Sequence, residues 1–249
     1  HQCIQWMTSI TWLLCNLPQI RSIMTLHPIH TGNFKLDGGA MFGVVPKGLW
    51  ERTNPADEKN LCTWAMRSLL IEDGDRLILI DTGIGNKQSE KFFSHYYLHG
   101  DHSLDASLAA IGFNRNQITD VFLTHLHFDH VGGAVQWNAD RTGYEPAFKN
   151  ATYWTNERHW NWATKPNARE RASFLSENIL PLEESGQLKF IDAPESEHRV
   201  STPLGFDVFV VNVFITLITK NGNNRFSRSK FFAKSYCTCN INSTASTKT

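Results

Sequence analysis

Apolar residues recur among polar ones through residues 26–36, which suggests a strand, and the run ends at Asp37-Gly38-Gly39, a turn signal. Residues 41–45 predict a second strand, closed by Pro46. Residues 63–72 and 76–80 flank Asp73-Gly74-Asp75 and predict a hairpin. The run Leu77-Ile78-Leu79-Ile80 is apolar without interruption, as expected of a strand covered on both faces. It delivers Asp81-Thr82-Gly83-Ile84-Gly85, a polar, glycine-rich turn. Two helices are expected next. Residues 90–98 place Phe92, Phe93, Tyr96 and Tyr97 on one stripe, and residues 103–111 have a serine cap and a stop at Gly112. Residues 116–120 lead into the short apolar run 121–123. Beyond it the pattern predicts a strand over 151–154, a tryptophan-rich helix capped by Thr155, and a helix over 168–180 stopped by Pro181. Strands over 187–191 and 205–212 follow. Strands interleaved with helices behind an early hairpin indicate an α/β layered domain.

Charge changes this picture only near the end. Lys plus Arg equals Asp plus Glu, at 24 each, which gives no bias toward nucleic acid or an anionic membrane surface as partner. No acidic residue follows Asp207, whereas Lys220, Arg225, Arg228, Lys230, Lys234 and Lys248 all do, so the preceding body is net acidic. From Val213 onward an apolar stretch gives way to Asn, Ser, Thr and Lys without period. The expected organisation is a non-native or disordered extension over 1–23, a folded domain over 24–212, and an aberrant or disordered tail over 213–249. Met24 is the expected natural start. No run reaches the length of a membrane span. The apolar stretch 10–17 lacks a basic start and a small-residue cleavage site, so a cytoplasmic location is expected. The five cysteines form no disulfide framework, and Cys237-Thr238-Cys239 has no partner pair nearby to complete a metal site.

The chemistry concentrates in Thr124-His125-Leu126-His127-Phe128-Asp129-His130-Val131-Gly132-Gly133, where four metal-capable side chains fall within six positions. Neutral imidazoles suit zinc, and a carboxylate suits the same borderline ion or a harder one. A strand turning into a loop can aim His125 and His127 at one ion, and the next turn can bring Asp129 and His130 to a second. Two adjacent cations can hold a hydroxide between them and polarise the bond under attack. Asp129 is the candidate for handling a proton. A set of ordinary loop histidines is the alternative, which this spacing disfavours.

The segment from Thr124 to Gly133 resembles the signature motif of the metallo-β-lactamase-fold hydrolases, and Asp81-Thr82-Gly83 after an apolar strand matches a second element of that family. The segment from Phe34 to Pro46 is similar to the quorum-quenching lactonases and methyl-parathion-hydrolase-like members. Together the matches span roughly residues 24–212. The resemblance implies an αββα sandwich with two zinc ions, or other divalent metals, at the sheet edge. It also implies Asp81 as a residue steadying the ligand loop, against the plainer alternative of a turn aspartate. It favours a small-molecule lactone or ester as substrate, opened by a metal-bound hydroxide, with a phosphotriester next.

The chain also departs from the family. A third histidine for the first metal, a bridging aspartate and a last histidine are expected after the 205–212 strand, yet no histidine follows His198 and no carboxylate follows Asp207. A reading-frame shift or truncation near Asn212 and Val213 would explain this, leaving the sandwich incomplete at its C-terminal end. A non-catalytic or defective member is therefore the alternative to a working hydrolase. His198 precedes the strand, and His27, His30, His95, His99, His102 and His159 lack ligand spacing. Phe92, Phe93, Trp154, Trp160 and Trp162 are candidates either for an apolar substrate pocket or for core.

Overall fold

The computed structural model describes residues 24–191. The expectations for 1–23, the strand over 205–212, the tail, His198 and Cys237-Thr238-Cys239 lie outside the described residues. So does the stretch on which the cytoplasmic expectation rested. No helix among the described residues is long and apolar enough to cross a membrane.

The architecture is α/β. Strands β1 (Thr25–Asp37), β2 (Leu61–Asp73) and β3 (Arg76–Ile80) form an antiparallel meander. The β2–β3 hairpin turns at Gly74, whose φ of 58° is the left-handed conformation that glycine adopts without steric penalty. Strands β4 (Asp120–Phe122), β7 (Thr152–Thr155) and β8 (Leu188–Phe190) then join β3 in parallel, giving the order β1-β2-β3-β4-β7-β8. A short antiparallel ribbon, β5 (Val135–Trp137) with β6 (Tyr144–Pro146), stands apart.

The continuous apolar run of β3 has the predicted consequence. Leu70 and Leu79 pair and enter the main core, while their paired neighbours Ile71 and Ile78 are buried on the opposite face. On the core side the sheet packs against α4 (Leu104–Ala110), α6 (Glu157–Thr164) and α7 (Ser176–Glu184) through Leu104, Leu108, Trp160, Ile179 and Leu182. A second cluster gathers Phe34, Met66, Ile84 and Phe128, with Phe92, Phe93 and Tyr96 packed on it.

Four predicted elements differ from what forms. Residues 41–45 are not a strand: Gly38–Phe42 is the short helix α1, because the Asp37 carboxylate accepts from the Ala40 amide at 2.7 Å and caps it. Gly43, at φ 59°, ends it, and Phe42 then stacks 4.9 Å from Trp50 of α2 (Lys47–Trp50). The helix after Ser89 stops at Ser94 as α3 (Glu90–Ser94). Beyond it the chain pairs with β1: the Lys35 amide donates to Tyr96 O at 2.7 Å and the Asn33 amide to His99 O at 3.0 Å, which a continuing helix would forbid. The Trp-rich helix α6 is capped by Asn156, which accepts from the His159 amide, and not by Thr155.

The last helix, α7, starts only at Ser176 and runs through Pro181 instead of stopping there. Proline in that place removes one intrahelical bond. Burial of Ile179, Pro181 and Leu182 offsets the loss.

Candidate metal centre

Parallel pairing of β3 with β4 brings their C-terminal ends to the same edge, and this is what assembles the site. β3 ends at Ile80 and is followed by Asp81, whose amide donates to Phe122 O at 2.9 Å. β4 leads through Leu123 and Thr124 to the histidine motif. The turn Phe128–Val131, α5, then carries Asp129 and His130, and its start is tied down by the Phe128 amide donating to Ser173 O at 3.0 Å.

Asp81 holds the two halves of the motif together. Its Oδ1 accepts from the Thr124 amide at 2.9 Å, its Oδ2 lies 2.7 Å from the Thr124 hydroxyl, and that same Oδ2 lies 2.8 Å from His130 Nδ1. Asp81 itself sits at φ 57°, an uncommon conformation for a residue with a Cβ and one that costs energy. The neighbouring Thr82 donates both its amide and its hydroxyl to His130 O, each at 2.8 Å.

The structure brings all four predicted ligand residues together. The His125 ring centroid lies 4.7 Å from that of His127 and 3.9 Å from that of His130, and Asp129 Oδ2 lies 3.4 Å from His130 Nε2. Burial, reinforced by the imidazoles of His130, His127 and His159, holds His125 well below the usual histidine range, so its ring is neutral. Burial also opposes charge on His130, but Asp81 and Asp129 outweigh it and raise this ring to about 10. For Asp129, burial works against ionisation, and the hydrogen bond and positive charge of His130 prevail, keeping the carboxyl below its ordinary value.

The donor set fits a divalent cation in kind. The clearest sign is His127 Nε2, which is buried and has no hydrogen-bond partner among the described residues. An orphaned buried nitrogen costs roughly 1–3 kcal/mol unless something accepts its lone pair or its proton. In number the set falls short: among the described residues no group of three or more His, Cys, Asp or Glu side chains could by itself hold an ion.

Two residues at the site escaped the sequence pattern. His159 Nε2 accepts from the Leu126 amide at 2.9 Å and so fixes the backbone between His125 and His127. Lys87 is buried against Gly132. Neither has ligand spacing, so no signal in the chain marks them. The aromatic candidates separate. Phe92 packs edge-on to Phe128 at 5.6 Å beside the motif, and Tyr96 lies 4.6 Å from Phe128. Trp154 instead donates to Asp120 at 2.8 Å, Trp160 belongs to the main core, and Trp162 is half-exposed and donates to Glu170, so these three do not line the site.

Residues 67–186 match the model of the metallo-beta-lactamase superfamily. Among solved structures, the chain is similar to a probable metal-dependent hydrolase from Staphylococcus aureus, at 32% identity and a TM-score of 0.62 over 69% of this chain and 60% of that one. It shares its fold with AidC, described as a dizinc quorum-quenching lactonase in complex with a product (20% identity, TM-score 0.53, 72% of this chain and 61% of that one). It also shares its fold with AbOPH, a hydrolase in the beta lactamase superfamily (20% identity, TM-score 0.52, 73% of this chain and 65% of that one). The chain thus spans less than two thirds of each. No curated protein matches it.

Proposed function

Because residues 67–186 belong to the metallo-beta-lactamase superfamily, we propose that this chain acts as a divalent-metal-dependent hydrolase of a small-molecule lactone or ester, with His125, His127, Asp129 and His130 as its metal-binding residues. We place the catalytic domain at residues 24–212 and take zinc as the metal, two ions per chain. The observation that carries the proposal is the buried His127 Nε2 without a partner, beside a neutral His125 and the Asp129–His130 pair. When bound, a pair of such cations supplies a water of lowered pKa and polarises the carbonyl under attack.

The chain's own residues do the remaining work. Asp81 and Thr124 fix the His130 ring and the loop carrying His125, so the donors need little reorganisation. Asp129, held ionised beside His130, is placed to accept a proton or pass one to a leaving oxygen. Phe92, Tyr96 and Phe128 give the motif an apolar flank suited to the hydrocarbon part of a lactone or ester. A phosphotriester is the next substrate class.

One observation favours a second reading, a non-catalytic member of the same family: no three described side chains are gathered into a site that could hold an ion alone. Metal analysis of the purified chain together with a lactone-opening assay separates the two. The hydrolase reading expects about two ions, with turnover abolished by chelator and reduced at least ~100-fold in His127→Ala. Chelator-insensitive turnover overturns the mechanism, and a metal-free, inactive chain selects the second reading.

A further inference from the structure

The loop between β3 and α3 carries a buried lysine with no place in the ligand set. Lys87 is only 4% exposed, and its Nζ donates to the Gly132 carbonyl at 2.5 Å. Gly132 directly follows α5, the turn that bears Asp129 and His130. The end of a helical turn leaves carbonyls without intrahelical partners, and the Lys87 amine supplies one of them with a donor. The lysine is itself held on both sides. Its carbonyl accepts from Trp137 Nε1 at 3.1 Å, and the next residue, Gln88, donates to Glu177 Oε1 at 3.2 Å on α7.

The two loops approach so closely that a Cβ on Gly85 would lie 2.6 Å from the same Gly132 oxygen. No bulkier residue fits between them there, and the lysine reaches that oxygen from farther along the loop.

We propose that Lys87 is a positioning residue that locks the Phe128–Val131 turn, and with it Asp129 and His130, in the orientation that receives a divalent cation. This rests on the metal-site reading above. A buried ammonium is an expensive way to fill space, since burial disfavours its charge and only Glu177 is placed to favour it, while Arg115 opposes it. An apolar side chain of the same length would pack as well at lower cost. What the lysine adds is an N–H donor to one carbonyl, which an apolar side chain lacks.

The test compares the full chain with Lys87→Met and Lys87→Arg, using zinc alone as the ligand. Zinc affinity is read by chelator competition, and backbone amide hydrogen exchange is read without metal. Lys87→Met is expected to weaken zinc binding ~10–100-fold. It is also expected to speed exchange at least ~10-fold at the Thr82 and Gly133 amides, which bond across the two loops, and not at Leu70 and Ile71 in the sheet. Lys87→Arg, which keeps a donor of similar reach, restores part of both.

Should Lys87→Met fail to fold, Lys87→Gln, uncharged and shorter, is read in the same way. Unchanged zinc affinity together with unchanged exchange overturns the proposal. If the parent chain binds no zinc, the metal reading fails by itself, and exchange at those two amides alone upholds or overturns the role of Lys87.

Discussion

A single side chain, Asp81, ties the two ends of the histidine motif together. It accepts from Thr124, which precedes the first histidine, and contacts His130, the last. It does so from a left-handed backbone that glycine would adopt at less cost. Asp81→Gly relieves the backbone and removes the carboxylate, whereas Asp81→Asn keeps the shape and removes the charge. Both are expected to lower zinc affinity ~10–100-fold. Asp81→Ala, which also keeps the strained φ, should be the least stable of the three by about 1 kcal/mol relative to Asp81→Gly in urea unfolding.

Lys87 gives a pH dependence of its own. Burial lowers it from 10.5 to about 7, with Glu177 resisting and Arg115 assisting. Between these values the unfolded chain holds a proton at Lys87 that the folded chain has lost, so stability from this group rises with pH. It is complete above 10.5 and is lost as pH falls toward about 7. The stability difference between the parent chain and Lys87→Met should therefore climb by up to about 1.4 kcal/mol per pH unit over that window, measured by denaturant titration at several pH values.

Among the elements, the two loops at the sheet edge are mutually dependent. A Cβ on Gly132 would lie 2.1 Å from Ile84 O, a backbone atom that cannot swing aside. Gly132→Ala is expected to destabilise the fold by about 3 kcal/mol and to loosen zinc binding in the same variant. The opposite end of β4 offers a control. Asp120 there is buried, paired with Arg76 at 2.9 Å, and accepts from Trp154 and Thr119. Burial works against its ionisation, and these bonds outweigh it and keep the carboxyl below its ordinary value. The stability it contributes is present above that ordinary value and disappears as pH falls through the lowered one. Asp120→Ala should cost about 3–5 kcal/mol, since it leaves Arg76 unpaired, while the folded fraction retains its zinc affinity.

The same scale shows where local pattern fails. Residues 41–45 look like a strand by composition, but a capping carboxylate at Asp37 and the left-handed Gly43 commit the preceding residues to a helical turn. Pro181 looks like a stop, yet apolar burial carries α7 through it. In both places a contact outweighs propensity.

For the whole molecule, the described residues supply four donors at the C-terminal ends of parallel strands, the usual place for a site in an open α/β sheet. If the chain takes up zinc, binding to the folded state alone must raise its stability, by about 2.7 kcal/mol at a free zinc concentration a hundred times Kd. Thermal unfolding should then move upward with zinc and fall back with chelator. A melting temperature indifferent to both identifies the non-catalytic form.

Much of this was legible in the chain. The unbroken apolar run of β3 and the order His125, His127, Asp129, His130 follow from side-chain pattern and donor chemistry, which are local properties. They sufficed for an α/β domain with a cluster of metal-capable side chains at a strand end. The tertiary structure alone decided what surrounds that motif. Asp81 meets His130 and Lys87 meets Gly132 across 49 and 45 residues of chain, and His159 reaches Leu126 from another helix. Such contacts depend on how β3 registers against β4 and where α6 packs. No periodicity records them, because the same side chains would have the same local pattern wherever the sheet placed them.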